Sequence, residues 1–75
     1  FKLYPNPVLN ELHIESESNQ PVQVRCYNML GQLLMEKEMI QETSIDVRNW
    51  QNSLILVVAR NQKGQVLMRK KVSVL

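Results

Sequence analysis

Hydrophobic and polar residues alternate along most of this chain, which is the pattern of strands that have one buried face. The alternation is clear in residues 11–15 and again in residues 22–26. A shorter alternating segment covers residues 43–47, and a long one covers residues 65–75. The pattern therefore predicts four strands, each packed on one side only.

One segment breaks this alternation. Residues 53–59, Ser-Leu-Ile-Leu-Val-Val-Ala, are apolar almost without interruption. Such a run needs cover on both sides, so it predicts a central strand that is buried on both faces. It is too short to cross a bilayer, which requires about 20 residues as a helix. We expect the rest of the chain to pack around it.

Residues 33–40 are ambiguous, because Leu, Met, Glu and Lys are all strong helix formers. No capping residue precedes this segment, and a turn lies just before it. In that turn Asn28 favours a turn start and Gly31 can adopt a positive φ, which predicts a tight hairpin. A second glycine turn is expected at residues 61–64. The pattern thus favours a strand at residues 33–40.

The chain starts with a stiff arm, since Pro5 and Pro7 remove two backbone donors and favour extended conformations at Tyr4 and Asn6. Trp50 lies in a loop and is expected to close one end of the core. Together these segments make six or seven short strands and no convincing helix. We predict an all-β fold, a small antiparallel β-sandwich, in a single domain that covers residues 1–75.

The composition of the chain argues against several classes of function. The net charge of +2 is too small to indicate nucleic acid. The single cysteine, Cys26, cannot form an internal disulfide, and the lone His13 has no metal-binding neighbours at a suitable spacing. The two glycines are explained by turns, so no phosphate loop is predicted. We expect no enzyme activity and no cofactor. A chain that begins at Phe1 without a leader is expected to be part of a longer precursor.

The basic run Arg69-Lys70-Lys71 has two interpretations. Cations on a terminal strand commonly prevent aggregation between sheet edges. Alternatively, they form a docking patch for an acidic partner or an anionic outer-membrane surface. The sequence pattern leaves both interpretations open.

Four motifs together resemble a known family. They are Tyr-Pro-Asn-Pro at residues 4–7, the hairpin segment at residues 24–32, Ile-Asp-Val at residues 45–47 before the apolar strand, and Lys-Val-Ser-Val at residues 71–74. In these motifs the chain resembles the C-terminal sorting domain of the type IX (Por) secretion system of Bacteroidetes. The resemblance covers essentially the whole chain.

This resemblance implies an immunoglobulin-like sandwich of about seven strands that carries no catalysis. It implies a secretion signal read by the type IX translocon, with outer-membrane shuttle and sortase proteins as partners and a cargo domain attached upstream. The domain would pass through the periplasm to the cell surface or the extracellular space. A dimer formed through the edge strands is a further possible assembly. The recognition residues that it suggests are Tyr4, Pro5, Asn6, Pro7, Gly31, Lys70, Lys71, Val72 and Val74.

An accessory β-sandwich of a secreted enzyme is the alternative hypothesis, with a glycan or another protein as its ligand. Such a module would normally expose a platform of aromatic side chains. This chain has four aromatic residues, Phe1, Tyr4, Tyr27 and Trp50. A solvent-exposed Trp50 would favour this alternative.

Overall fold

The computed structural model describes all residues from Phe1 to Leu75. Its elements, in chain order, are β1 (Lys2–Tyr4), β2 (Glu11–Glu15), β3 (Val22–Tyr27), β4 (Leu33–Met39), β5 (Glu42–Asp46), a 3₁₀ turn (Arg48–Trp50), β6 (Ser53–Arg60) and β7 (Val66–Val74). Helical structure is limited to that single turn, and no helix has the length and hydropathy of a membrane span.

The strands form two antiparallel sheets. One sheet has the order β1-β2-β5 and the other has the order β4-β3-β6-β7. This arrangement confirms the predicted all-β sandwich and the strand at residues 33–40, where pairing with β3 overrides the helix propensity. The arm was predicted to be extended and to form no central strand, which agrees with the structure, because Lys2–Tyr4 pairs with β2 at an edge of the smaller sheet.

The core lies between the inner faces of the two sheets. It contains residues from every strand, and all of its members are apolar: Leu3, Val8, Leu12, Ile14, Val22, Val24, Cys26, Met39, Ile45, Val47, Ile55, Val57, Ala59, Val72 and Val74. Trp50 is half-buried and packs against this cluster, as predicted. Burial also raises the pKa of the Cys26 thiol to about 11, so it stays protonated at neutral pH.

The apolar run is an interior strand, as predicted, because β6 lies between β3 and β7. The expectation that both of its faces are covered is wrong. Leu54 is 41% exposed and Leu56 is only partly buried. A sandwich of two layers packs each sheet on one side, so alternate residues of β6 face away from the core. We call this outer side of the four-stranded sheet the open face.

The two hairpins of the larger sheet share one turn design. In the first, the Asn28 Oδ1 atom accepts hydrogen bonds from the N–H groups of Leu30 and Gln32, at 3.0 and 2.9 Å. In the second, Asn61 Oδ1 accepts from Lys63 and Gln65 in the same way, at 2.9 and 3.0 Å. The shared motif, Asn-x-x-Gly-Gln, recurs at residues 28–32 and 61–65, and the sequence analysis did not identify it.

Replacing Gly64 with alanine is expected to lower the free energy of unfolding by about 1 kcal/mol, because this residue has a φ of +82°. A β-carbon there would meet nothing within 4 Å, so the effect is conformational and not steric. Urea denaturation of the chain measures the difference. Gln62→Ala in the same turn is the matched control and should leave stability unchanged. An equal loss in both variants would contradict this account.

Candidate functional site

The starting arm and the last strand are directly joined. The Val8 N–H donates to the Ser73 carbonyl oxygen at 2.9 Å, and the Leu75 N–H donates to the Val8 carbonyl oxygen at 2.9 Å. These bonds form a parallel bridge between Val8 and Val74. The Ser73 N–H also donates to Asn6 Oδ1 at 3.3 Å. We call the unit of residues 5–8 and 73–75 the clasp.

The sequence of the arm explains why the clasp forms at Val8. Pro5 and Pro7 have no backbone N–H, so Val8 is the first residue after both prolines that can donate to a neighbouring strand. The Tyr4–Pro5 and Asn6–Pro7 peptide bonds are both cis. The Val8 side chain is fully buried, which anchors the arm in the core as well as at the sheet edge. The arm therefore passes from the smaller sheet to the larger one.

The clasp brings together predicted recognition residues from the two ends of the chain, the arm and the last strand. Asn6 reaches the last strand, and its neighbours Pro5 and Pro7 are exposed beside it. Tyr4 lies elsewhere, because it is on the outer side of the three-stranded sheet. Its ring stacks on His13 with 5.2 Å between ring centroids, and its hydroxyl donates to Glu15 at 2.9 Å.

Within β7 the four predicted recognition residues have different environments. Val72 and Val74 are core residues, 0% and 2% exposed, so their side chains contact the sandwich interior and not the surface. Lys70 and Lys71 are exposed and point to opposite sides of the sheet. Lys70 is in register with buried Val57, whereas Lys71 is in register with Leu56 on the open face. Only the two lysines offer side chains to a partner.

Both edge strands of the larger sheet carry an inward-facing lysine. On β4, Lys37 is in register with buried Val24, and its Nζ donates to the Ser44 carbonyl oxygen at 3.0 Å. On β7, Lys70 has the equivalent position. Charges that point inward from edge strands disfavour pairing with another chain. This observation supports the edge-protection interpretation for Lys70 but leaves Arg69 and Lys71, on the other side, unexplained by it.

The remaining predicted residue, Gly31, lies in the turn between β3 and β4 and is not part of the clasp, although it lines the same groove as Lys71. It has a φ of +83°, and its N–H donates to the Asn28 carbonyl oxygen at 3.1 Å. The structure therefore assigns it a conformational role in the turn. A positive φ favours glycine, which explains why a glycine occupies this position of the hairpin motif.

Asn6→Ala is expected to lower the free energy of unfolding by about 1 kcal/mol, because it removes the acceptor for the Ser73 N–H. Thermal or urea unfolding of the chain measures this change. Asn10→Ala is the matched control, since Asn10 acts through its backbone carbonyl oxygen, which accepts from the Val47 N–H at 2.9 Å. Equal stability of the Asn6 variant and the unchanged chain would show that the side chain does not hold the arm.

The open face combines apolar and cationic side chains in two cross-strand rows. One row is Arg25, Val58 and Arg69, and the next is Tyr27, Leu56 and Lys71. Val58 is only 4% exposed although it faces outward. Arginines flank Val58 on both neighbouring strands, and the aliphatic stem of an arginine is long enough to cover a small residue beside it. This surface was not expected from the sequence, because the apolar run in β6 predicted two buried faces.

The outer side of the three-stranded sheet has the opposite character. Carboxylates lie directly across from each other in the pairs Glu11 with Asp46 and Glu15 with Glu42. Arg48 forms an ion pair with Asp46 at 2.7 Å and holds the pKa of that carboxyl low, at about 2. The two outer sides of the sandwich thus differ in charge.

His13 lies at the centre of this acidic side. Its Nδ1 is 3.1 Å from Ser44 Oγ, and its Nε2 is 3.5 Å from Glu11 Oε1. The first contact joins β2 to β5 and the second lies within β2, and both are on a solvated sheet surface. No group of three or more potential metal-binding side chains occurs in the protein.

The comparisons with known proteins agree with the sequence motifs. A search of curated proteins and a search of solved structures each returned no match. A family model described as a secretion system C-terminal sorting domain matches residues 2–74. That match includes all seven strands and every residue of the clasp except Leu75. The chain therefore belongs to the family of type IX secretion C-terminal sorting domains.

Proposed function

We propose that this domain is a non-catalytic address, which the type IX translocon and its outer-membrane shuttle and sortase proteins read to export the cargo attached upstream. Family membership supports a role as a secretion sorting signal. We further propose how the domain is recognised. The export machinery contacts the clasp together with the exposed lysines of β7.

The observation that carries this proposal is the direct pairing of Val8 with Ser73 and Leu75. Because of these bonds, a partner that contacts the arm at Asn6 or Pro7 also meets the end of the last strand. Residues far apart in sequence are thereby held in one fixed surface before binding. A surface ordered in advance binds with a smaller loss of conformational entropy.

The position of β1 supports cleavage upstream of the domain. A protease requires an extended and unpaired chain, whereas residues Lys2–Tyr4 are already paired with β2. We therefore place the sortase cut before Lys2, so that the cargo is released with the domain still folded. Passage through the periplasm and anchoring of the cargo at the cell surface would follow from this order.

A fusion experiment tests the proposal. Residues 1–75 are joined behind a fluorescent protein that is exported to the periplasm of a host with a type IX system. We expect the fluorescent protein to appear outside the cell. Fluorescence that stays entirely in the periplasm would contradict the proposal. A fusion to a folded sandwich domain of similar size from another protein controls for leakage.

No observation favours the accessory binding module. Its expected aromatic platform would need neighbouring exposed rings, but Trp50 packs against the core and Tyr4 stacks on His13. Tyr27 lies on the open face, on the other side of the sandwich from Tyr4. The aromatic residues are therefore dispersed over separate surfaces.

A further inference from the structure

We infer that the open face is a docking surface for an acidic protein segment that also carries apolar side chains. This inference rests on the proposed function, because the segment would belong to a protein of the export machinery. The open face is distinct from the clasp, although both include β7. Three features of the surface support the inference.

The first feature is unpaired positive charge. The Arg25 Nε–H donates to Glu36 Oε2 at 2.8 Å, so this cation already has a carboxylate partner. Arg60, Arg69 and Lys71, by contrast, form no ion pair with any carboxylate of the chain. Guanidinium groups offer several donors in a planar fork that suits carboxylates. An acidic partner would therefore complement this face.

The second feature is a buried donor without an acceptor. The Arg60 Nε atom is the one buried side-chain nitrogen or oxygen in the protein that makes no hydrogen bond. Buried polar groups in native proteins normally have a partner, so an unpaired one requires an explanation. A carboxylate supplied from outside, aided by a small movement of the Arg60 side chain, would provide the missing acceptor.

The third feature is a shallow groove with a mixed lining. It has a volume of about 410 Å³. Apolar side chains form its floor, the turn after β3 forms one rim, and cations line the other side. The lining includes Tyr27, Leu56 and Val58 and the three cations Arg60, Arg69 and Lys71. Exposed Leu54 and Met29, at 41% and 49%, extend the apolar surface.

This geometry favours a protein segment over a lipid surface. The Arg60 Nε atom is recessed, so a slender acidic side chain approaches it more readily than the flat headgroup layer of a bilayer does. Arg69 and Lys71 are two residues apart on one strand, which separates them by about 7 Å. Alternate residues of an extended peptide have the same spacing. Carboxylates at such positions can face both cations.

A binding experiment with model ligands tests the inference. The probe is a fluorescein-labelled peptide of alternating Glu and Leu residues, titrated with the chain of residues 1–75. A matched peptide with Gln in place of Glu tests the need for charge. Phosphatidylglycerol vesicles and inorganic phosphate test the other sources of negative charge.

Two adjacent lysines provide a matched pair of variants. Lys71→Glu reverses a charge on the open face, whereas Lys70→Glu makes the same change in net charge on the opposite side of the sheet. We expect Lys71→Glu to weaken binding of the acidic peptide about tenfold or more, as for the loss of a charge-assisted hydrogen bond. Lys70→Glu should change it little. Arg69→Glu is a second open-face variant, and unfolding curves confirm that each variant folds.

Several outcomes would overturn the inference. Equal weakening by Lys70→Glu and Lys71→Glu would mean that only net charge matters. Equal affinity for the Gln peptide, or binding to vesicles without binding to the acidic peptide, would exclude an acidic segment. The Arg69→Glu variant in the export fusion separates this inference from the proposed function, because Arg69 lies on the open face and is not one of the residues that the proposed function assigns to recognition. Export of that variant contradicts the docking surface alone, whereas retention of the unchanged fusion contradicts the export role.

Discussion

Replacing Ile55 with alanine is expected to lower the free energy of unfolding by about 2 to 4 kcal/mol. The Ile55 side chain is fully buried in β6, in register with buried Val72. Truncating such a residue loses its transfer free energy and leaves a cavity. A domain of this length has a total stability of about 4 to 11 kcal/mol, so the loss is a large fraction of it. Urea unfolding measures the difference.

Leu54→Ala is the control for this prediction, because Leu54 is the preceding residue on the same strand and lies on the open face. It is 41% exposed, so its truncation should cost well under half as much. Similar losses at both positions would show that β6 is covered on both sides. That result would also remove the basis for the docking surface.

Removal of residues 70–75 is expected to abolish both export and cooperative unfolding. The deletion takes away buried Val72 and Val74, each of which contributes about 1.5 to 3 kcal/mol by burial. It also removes the Ser73 and Leu75 groups that hold Val8. Export of the fluorescent fusion and its thermal unfolding are measured together. Continued export of the truncated fusion would contradict any role for the clasp.

A double substitution separates recognition from folding, which the truncation cannot do. Lys70→Gln with Lys71→Gln leaves the core valines and the clasp bonds in place, since both lysine side chains are exposed. The unfolding midpoint should stay within a few degrees of that of the unchanged chain. If the machinery reads these lysines, export falls although the domain is folded. Unchanged export would show that the lysines have no part in recognition.

Local patterns were sufficient to predict the six strands that follow the arm. The alternation in residues 11–15 matches β2, in which Leu12 and Ile14 are buried. Alternate side chains of a strand lie on one face, so apolar residues at alternate positions indicate the buried face. The turns were predictable for a similar reason, since Asn28 and Gly31 have conformational preferences that act within a few residues. These features depend on neighbours in the sequence.

The features missed by the sequence analysis depend on contacts between distant residues. Nothing in the arm indicates that Val8 pairs with Val74, because that bridge depends on where β7 ends. The two faces of β6 could not be distinguished either, since Leu54 and Ile55 are equally apolar. Their different burial is set by the presence of a second sheet on one side only. The recurrent turn motif, in contrast, depends only on residues close together in the chain, so it could have been identified from the sequence.

The same limit applies to the candidate site. The family motifs include residues near both ends of the chain. The motifs alone could not distinguish residues that form the core from residues that a partner can contact. Val72 and Lys71 are adjacent in one motif, yet one is buried and the other is exposed. Alternation along β7 separates the two roles only once its register with β6 is known.

The most direct test of the export role compares two hosts that differ only in the type IX translocon. Each host makes the fluorescent protein fused to residues 1–75, and the fraction of fluorescence outside the cell is measured by protease shaving and fractionation. We predict that the fusion is outside the cell in the host with the translocon and is retained in the periplasm of the host without it. An equal outside fraction in the two hosts would contradict the account.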